Sequence, residues 1–176
     1  MTHPSLSDEQ TREIETRELL LPFIVDYFRE LDRIAQKPPL SDQQLRDEAL
    51  TALSMSSEFD WKPVYAADGK NVVGFYAFSR VSGLADFGPY LAEAYIIPSE
   101  RHKGYMRTAI SEYIRRKHIT ALCYAIQEKN DHALRFWERF FKSLDFTPLE
   151  ITRLQQLPGG FIMQGWIKSN LPPKSY

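Results

Sequence analysis

The sequence predicts a mixed α/β (α+β) domain, and three observations carry that prediction. Helical and strand periodicities alternate along the chain, and a strand–helix–strand unit lies inside it, from Tyr90 to Ile126. The 176 residues are 43% hydrophobic, enough for one sizeable core, and no repeat, linker or low-complexity stretch marks a second domain. Residues 1–176 therefore read as a single domain, with a loose polar arm at 1–10 and a polar tail at 169–176.

The elements follow in order. Glu13 to Arg17 is read as a short first strand. Leu19 to Ala35 carries apolar residues at Leu20, Phe23, Ile24, Tyr27, Leu31 and Ile34, which is helical spacing. Pro22 is placed in the first turn of that helix, and Pro38-Pro39 ends it. A second helix starts at Ser41, where Gln44 three residues later completes a capping box. Its apolar face is Leu45, Ala49, Leu50 and Leu53.

Strand texture takes over at Trp61–Ala67 and Val72–Val81, joined by the turn signal Asp68-Gly69-Lys70-Asn71. A loop at Ser82–Pro89 leads into a third strand, Tyr90–Ile97, stopped by Pro98. Gly104–Lys117 is helical, with Met106, Ala109, Ile110, Tyr113 and Ile114 on one side. Ile119–Ile126 is almost wholly apolar, as expected of a strand covered on both faces. Asn130–Leu144 is a helix that turns Ala133, Phe136, Trp137, Phe140 and Phe141 inward. Phe146–Leu154 and Phe161–Lys168 are the last two strands.

Composition excludes several function classes. A net charge of −1 argues against a dedicated nucleic-acid binder. The one cysteine, Cys123, allows neither an internal disulfide nor a cysteine zinc site, and the histidines lack metal-ligand spacing. There is no secretory leader and no apolar stretch of membrane-spanning length, so a reducing cytosol is the expected compartment. Charge is unevenly spread: residues 1–60 hold 13 acidic and 6 basic side chains, and residues 61–176 hold 10 and 16. The second part suits an anionic ligand better than the total implies.

The stretch from Leu91 to Met106 carries the chemistry. A strand ends at Pro98, a short polar loop follows, and a helix opens at Gly104. The unpaired N–H groups and positive dipole of a helix amino terminus make a phosphate site. Gly104 keeps a Cβ out of it, and Arg101, Lys103 and Arg107 add positive charge. His102 reads either as a further phosphate contact or as exposed loop.

This stretch resembles motif A of the GNAT acyltransferase superfamily, an Arg/Gln-x-x-Gly-x-Gly/Ala loop after a strand. Arg101 and Gly104 match it, and Met106 departs from it. A second patch, Asn130-Asp131-His132-Ala133-Leu134-Arg135-Phe136-Trp137 followed by Ser143-Leu144-Asp145-Phe146, resembles the family's Asn-x-x-Ala-x-x-Phe-Tyr and Lys-Leu-Gly-Phe segments. The resemblance implies a central twisted mixed sheet of about six to seven strands flanked by about four helices. It implies transfer of an acetyl group from acetyl-CoA to a primary amine of a small molecule, an aminoacyl group or a protein.

It also implies roles. The strand Tyr90–Ile97 would splay from Ile119–Ile126 to admit pantetheine, which would pair with backbone groups of Tyr95, Ile96 and Ile97. The loop residues Arg101, His102, Lys103, Gly104, Tyr105, Met106 and Arg107 would hold phosphate, with Asn130 and Trp137 beside the channel. Glu93 is the candidate general base. Trp137 stands where many relatives carry an acidic tyrosine, and indole has no proton to give; Tyr124 and Tyr95 are the substitutes weighed. The departures at Met106 and Trp137 leave open a relative that binds acyl-CoA or a protein partner without transfer. The acidic outer face of Leu19–Leu53 points to a cationic acceptor. Relatives are often homodimers, which stays open for this chain.

Overall fold

The computed structural model describes residues 8–55, 58–79, 88–149, 155–157 and 160–169. The chain opens with a 28-residue helix, α1 (Asp8–Ala35), so neither the loose arm at 8–10 nor a strand at Glu13–Arg17 is formed. The reason lies in composition: Glu, Gln and Arg dominate this stretch and are good helix formers. Thr16 folds its hydroxyl back onto the Arg12 carbonyl, 2.8 Å away, as it does within a helix. Pro22 lies inside α1 rather than in its first turn. It is exposed, where water can meet the carbonyl it frees, and the fully buried Leu20 and Ile24 carry the helix across it.

Helix α2 (Asp42–Ser54) has the expected capping box: Ser41 Oγ accepts from the Gln44 N–H, and Gln44 Oε1 accepts from the Ser41 N–H at 2.9 Å. Leu45, Ala49 and Leu53 are buried, whereas Leu50 is 46% exposed because it lies off that face. The strands β1 (Phe59–Tyr65) and β2 (Val72–Ser79) form an antiparallel pair. Asp68 closes the turn between them by accepting from the Lys70 and Asn71 N–H groups at 2.9 and 3.0 Å. Residues 80–87, most of the expected Ser82–Pro89 loop, lie outside the described residues.

Next come β3 (Tyr90–Ile96), a 3-10 turn at Pro98–Glu100, α3 (Tyr105–Arg116), β4 (Ala121–Gln127) and α4 (Asp131–Lys142). The expected strand at Phe146–Leu154 is shorter, as β5 (Phe146–Pro148), with residues 150–154 outside the described ones. A further strand, β6 (Gln155–Leu157), precedes β7 (Phe161–Lys168).

The strands form one seven-stranded mixed sheet in the order β1-β2-β3-β4-β7-β5, with β6 also paired to β7. Among the described residues only β3 and β4 run parallel. The helices lie on the two faces. On one, Leu20, Ile24, Ala49 and Leu53 of α1 and α2 pack with Trp61, Phe75, Ala77 and Tyr95. On the other, Met106 and Ile110 of α3 and Trp137 and Phe140 of α4 pack with Phe78, Leu122 and Trp166. Because both faces are covered, β2 shows six consecutive buried residues.

Candidate active site

The site starts from a fault in the sheet. β3 pairs with β4 through just two parallel registers, Tyr90 with Cys123 and Leu91 with Tyr124. At that point the β2–β3 ladder shifts: Ala77 pairs with Glu93 and Phe78 with Leu91, leaving Ala92 as an extra residue. A bulge bends the strand that carries it. Beyond it β3 and β4 separate, and a groove opens between them.

Two adjoining cavities, of about 350 and 360 Å³, fill this groove. Tyr27, Leu31, Ala94, Asn130, Ala133 and Trp137 line both. The first contains Glu93; the second ends at the Gly104 loop.

Strand alternation decides which backbone groups of β3 face the groove. The Ile97 N–H donates to the Val73 carbonyl at 3.0 Å, so Ile97 and Tyr95 turn their polar groups toward β2. Ala94 and Ile96 then point theirs into the opening. The Ile96 carbonyl already accepts from Arg101 Nε at 2.9 Å. Of the three residues expected to offer backbone groups, Ile96 thus faces the groove together with Ala94, whereas Tyr95 and Ile97 are turned to β2.

At the far end, Gly104 caps α3 with φ 86°, a left-handed conformation that glycine adopts without strain. A Cβ there would meet nothing within 4 Å, so the space beside it is open. The first intrahelical bond is Thr108 N–H to the Gly104 carbonyl, at 3.0 Å. The N–H groups of Tyr105, Met106 and Arg107 precede it and are free to meet an anion. The His102 and His132 rings lie edge to face, 5.9 Å apart, beside this loop. Met106, the departure from the family pattern, is 8% exposed and its side chain joins the core with Ile110, so its bulk is largely absorbed by the fold.

Of the residues picked from the sequence, the structure gathers Glu93, Tyr95, Ile96, Arg101, His102, Gly104, Tyr105, Met106, Arg107, Asn130 and Trp137 around the groove. Ile97 and Lys103 are not among its lining residues. Lys103 pairs with Glu100 at 2.9 Å and lines a separate cavity with Lys62 and Arg116. Asn130 uses its Oδ1 to cap α4, accepting from the Ala133 N–H at 3.1 Å. Arg101 pairs with Glu30 and lies over the Tyr95 ring, 5.6 Å from its centroid. Tyr95 itself packs among the α1-side aromatics.

Glu93 is partly buried on the α1 side, and its carboxylate accepts a hydrogen bond from the Tyr27 hydroxyl. Burial pushes the Glu93 carboxyl up to about 7, against the pull of Tyr27, whose bond favours the ionised form. The Tyr27 phenol is itself held well above its ordinary value, first by burial and then by the Glu93 charge. Tyr124, on the β4 wall, is pushed up to about 12 by burial. Trp137 packs against Tyr124 and Phe141 and offers no hydroxyl.

Sequence reasoning misses Tyr27, Glu30, Ala94, Gln127 and Phe161. Tyr27 reads as part of the apolar face of α1, and no local pattern links it to a residue 66 positions away. Ala94 could be found by counting alternation from a bulge, but nothing local marks the bulge.

The Acetyltransferase (GNAT) family model matches residues 24–141, two thirds of the chain. The chain belongs to the GNAT acetyltransferase family. The GNAT fold is equally plain in solved structures. An acetyltransferase from Thermus thermophilus aligns with a TM-score of 0.59 at 13% identity, over 82% of this chain and 88% of that one. PaiA N-acetyltransferase from Thermoplasma acidophilum, crystallised with coenzyme A, gives 0.57 at 13%, over 86% and 92%. Tetrahymena GCN5 gives 0.56 at 13%, over 94% and 95%. No curated protein matches the chain. Among the described residues no helix is long and apolar enough to cross a membrane, and no group of three or more His, Cys, Asp or Glu side chains could hold a metal ion.

Proposed function

We propose that this GNAT domain transfers the acetyl group of acetyl-CoA directly to a primary amine, with Glu93 as general base. The observation that supports this most is the place of Glu93, a carboxyl of pKa about 7 at the point where β3 parts from β4. A base poised near neutrality is mostly ionised at slightly alkaline pH and still binds a proton usefully.

The groove fits acetyl-CoA. Its pyrophosphate would lie on the free N–H groups at the start of α3, with Arg101, His102 and Arg107 nearby. Pantetheine would follow β3, paired with the backbone of Ala94 and Ile96, and an N–H of that edge would polarise the thioester carbonyl. The acceptor amine must be neutral to attack. Glu93 takes the proton that the nitrogen gives up, the C–N bond forms, and the C–S bond breaks. The thiolate leaves without a tyrosine at position 137 and becomes a thiol by taking a proton from solvent. A thiol pKa near ~8.5 makes that departure tolerable. The acceptor class is a small molecule, an aminoacyl group or a protein.

Trp137 supports a second reading, binding of acyl-CoA without transfer. Thermal melting with acetyl-CoA, then thiol release with a panel of amines, separates the two. Stabilisation with release that Glu93→Gln abolishes supports the enzyme. Stabilisation without release from any amine assigns the second reading, and no stabilisation rules out both.

A further inference from the structure

The acceptor end of the groove differs from what the acidic amino-terminal third suggests. Of that surplus, Glu30 is the one carboxylate among the described residues lining the groove, and it is paired with Arg101; Glu100, from later in the chain, is paired with Lys103. Among the described residues that line the first cavity, Glu93 is the one charged side chain. Its walls are aromatic and aliphatic, with Tyr27, Tyr90 and Tyr124 around Glu93 and with Leu31 and Phe161 beyond. Phe161 is 36% exposed on β7, so its ring is part of the rim. Among the described residues a second ammonium here would meet no counter-charge, and burying it unpaired is costly. An apolar body would cover the Phe161 ring and the aromatic walls. Gln127 and Asn130 add two neutral amide side chains to this lining.

Resting on the acetyl-transfer reading above, we infer that the acceptor is a small primary amine on an aromatic or bulky apolar body, not a polyamine or a lysine-rich segment, and that Phe161 sets this preference. Steady-state thiol release by the full chain with acetyl-CoA tests it, comparing 2-phenylethylamine and tryptamine with spermidine and a lysine-containing peptide. The expected result is a kcat/KM at least tenfold higher for the aromatic amines. Phe161→Ser should raise their KM about tenfold, with kcat and the KM for acetyl-CoA little changed. Preference for spermidine or the peptide overturns the inference and leaves acetyl transfer standing. So does a Phe161→Ser variant with an unchanged ratio between the amine classes. Thermal stabilisation by acetyl-CoA with no release from any amine overturns the transfer reading, and the acceptor class with it.

Discussion

Replacing Tyr27 by Phe removes one hydroxyl and should move the pH dependence of the reaction. The ring itself stays packed, with its centroid 5.6 Å from that of Phe75 and 5.7 Å from that of Tyr95, so the fold should survive. What is lost is the donor to the Glu93 carboxylate. Burial holds Glu93 at about 7 while that bond favours ionisation. A hydrogen bond to a charged group is worth roughly 1.5–3 kcal/mol, and at 1.36 kcal/mol per pKa unit its loss raises the carboxyl by about one to two units. As the proposed base, Glu93 would act only when ionised. At pH 7 the active fraction therefore falls by roughly five- to fiftyfold, and activity returns at alkaline pH. The assay is kcat/KM for the amine against pH, read by thiol release, with acetyl-CoA affinity followed separately. An acidic limb that stays in place while acetyl-CoA still binds would refute the reasoning, because Tyr27 would then not hold the ionised form of the base.

Glu93→Gln should lower kcat by about 10²–10⁴-fold, a typical range for loss of a general base. It should also remove a pH-dependent cost. The native carboxyl titrates near 7 rather than at its ordinary 4.5, so its contribution to stability is fully present below pH 4.5 and is lost as pH rises through 7. Melting curves should show the Gln variant matching the native chain near pH 4.5 and exceeding it at pH 8, by at most on the order of 3 kcal/mol; equal midpoints at pH 8 would count against a buried charge. Gly74→Ala should destabilise the fold by several kcal/mol, since the new Cβ would lie 2.0 Å from the Tyr95 carbonyl oxygen across the ladder. A midpoint within a degree or two of the native one would show that β2 and β3 can yield there. Gly104→Ala meets no neighbour, so it should cost about 1–2 kcal/mol from its φ of 86° and weaken acetyl-CoA binding, seen as a smaller thermal shift. Unaltered binding would remove the α3 amino terminus from the proposed phosphate site.

Local features are legible in the sequence because their causes are local. The Ser41–Gln44 capping box, the Asp68 turn and the Gly104 start of α3 each depend on residues within a few positions, and each is in the structure. The motif A loop and the Asn130–Phe146 patch point to the fold for the same reason: their spacing is short and specific. Where two local readings compete, sequence alone chooses badly. The Glu13–Arg17 segment reads locally as strand, and the α-helix wins because strong helix formers extend a helix that tertiary packing already anchors at Leu20 and Ile24.

The site itself needed the tertiary structure. A strand's identity fixes its side-chain alternation, but which edge of β3 is free depends on a bulge at Ala92 and on where β4 stops pairing. The environment of Glu93 depends on Tyr27, brought from α1 across 66 residues, and on the burial that the packed helix imposes. The charge of the groove depends on which carboxylates are already paired, and the pairing of Glu30 with Arg101 spans 71 residues. The amino-acid sequence by itself determined most of the helices, strands, caps and the Gly104 loop, because these follow from contacts between near neighbours. The depth, polarity and proton affinity of the groove were decided only when distant elements packed together, because burial and pairing exist only in the folded chain.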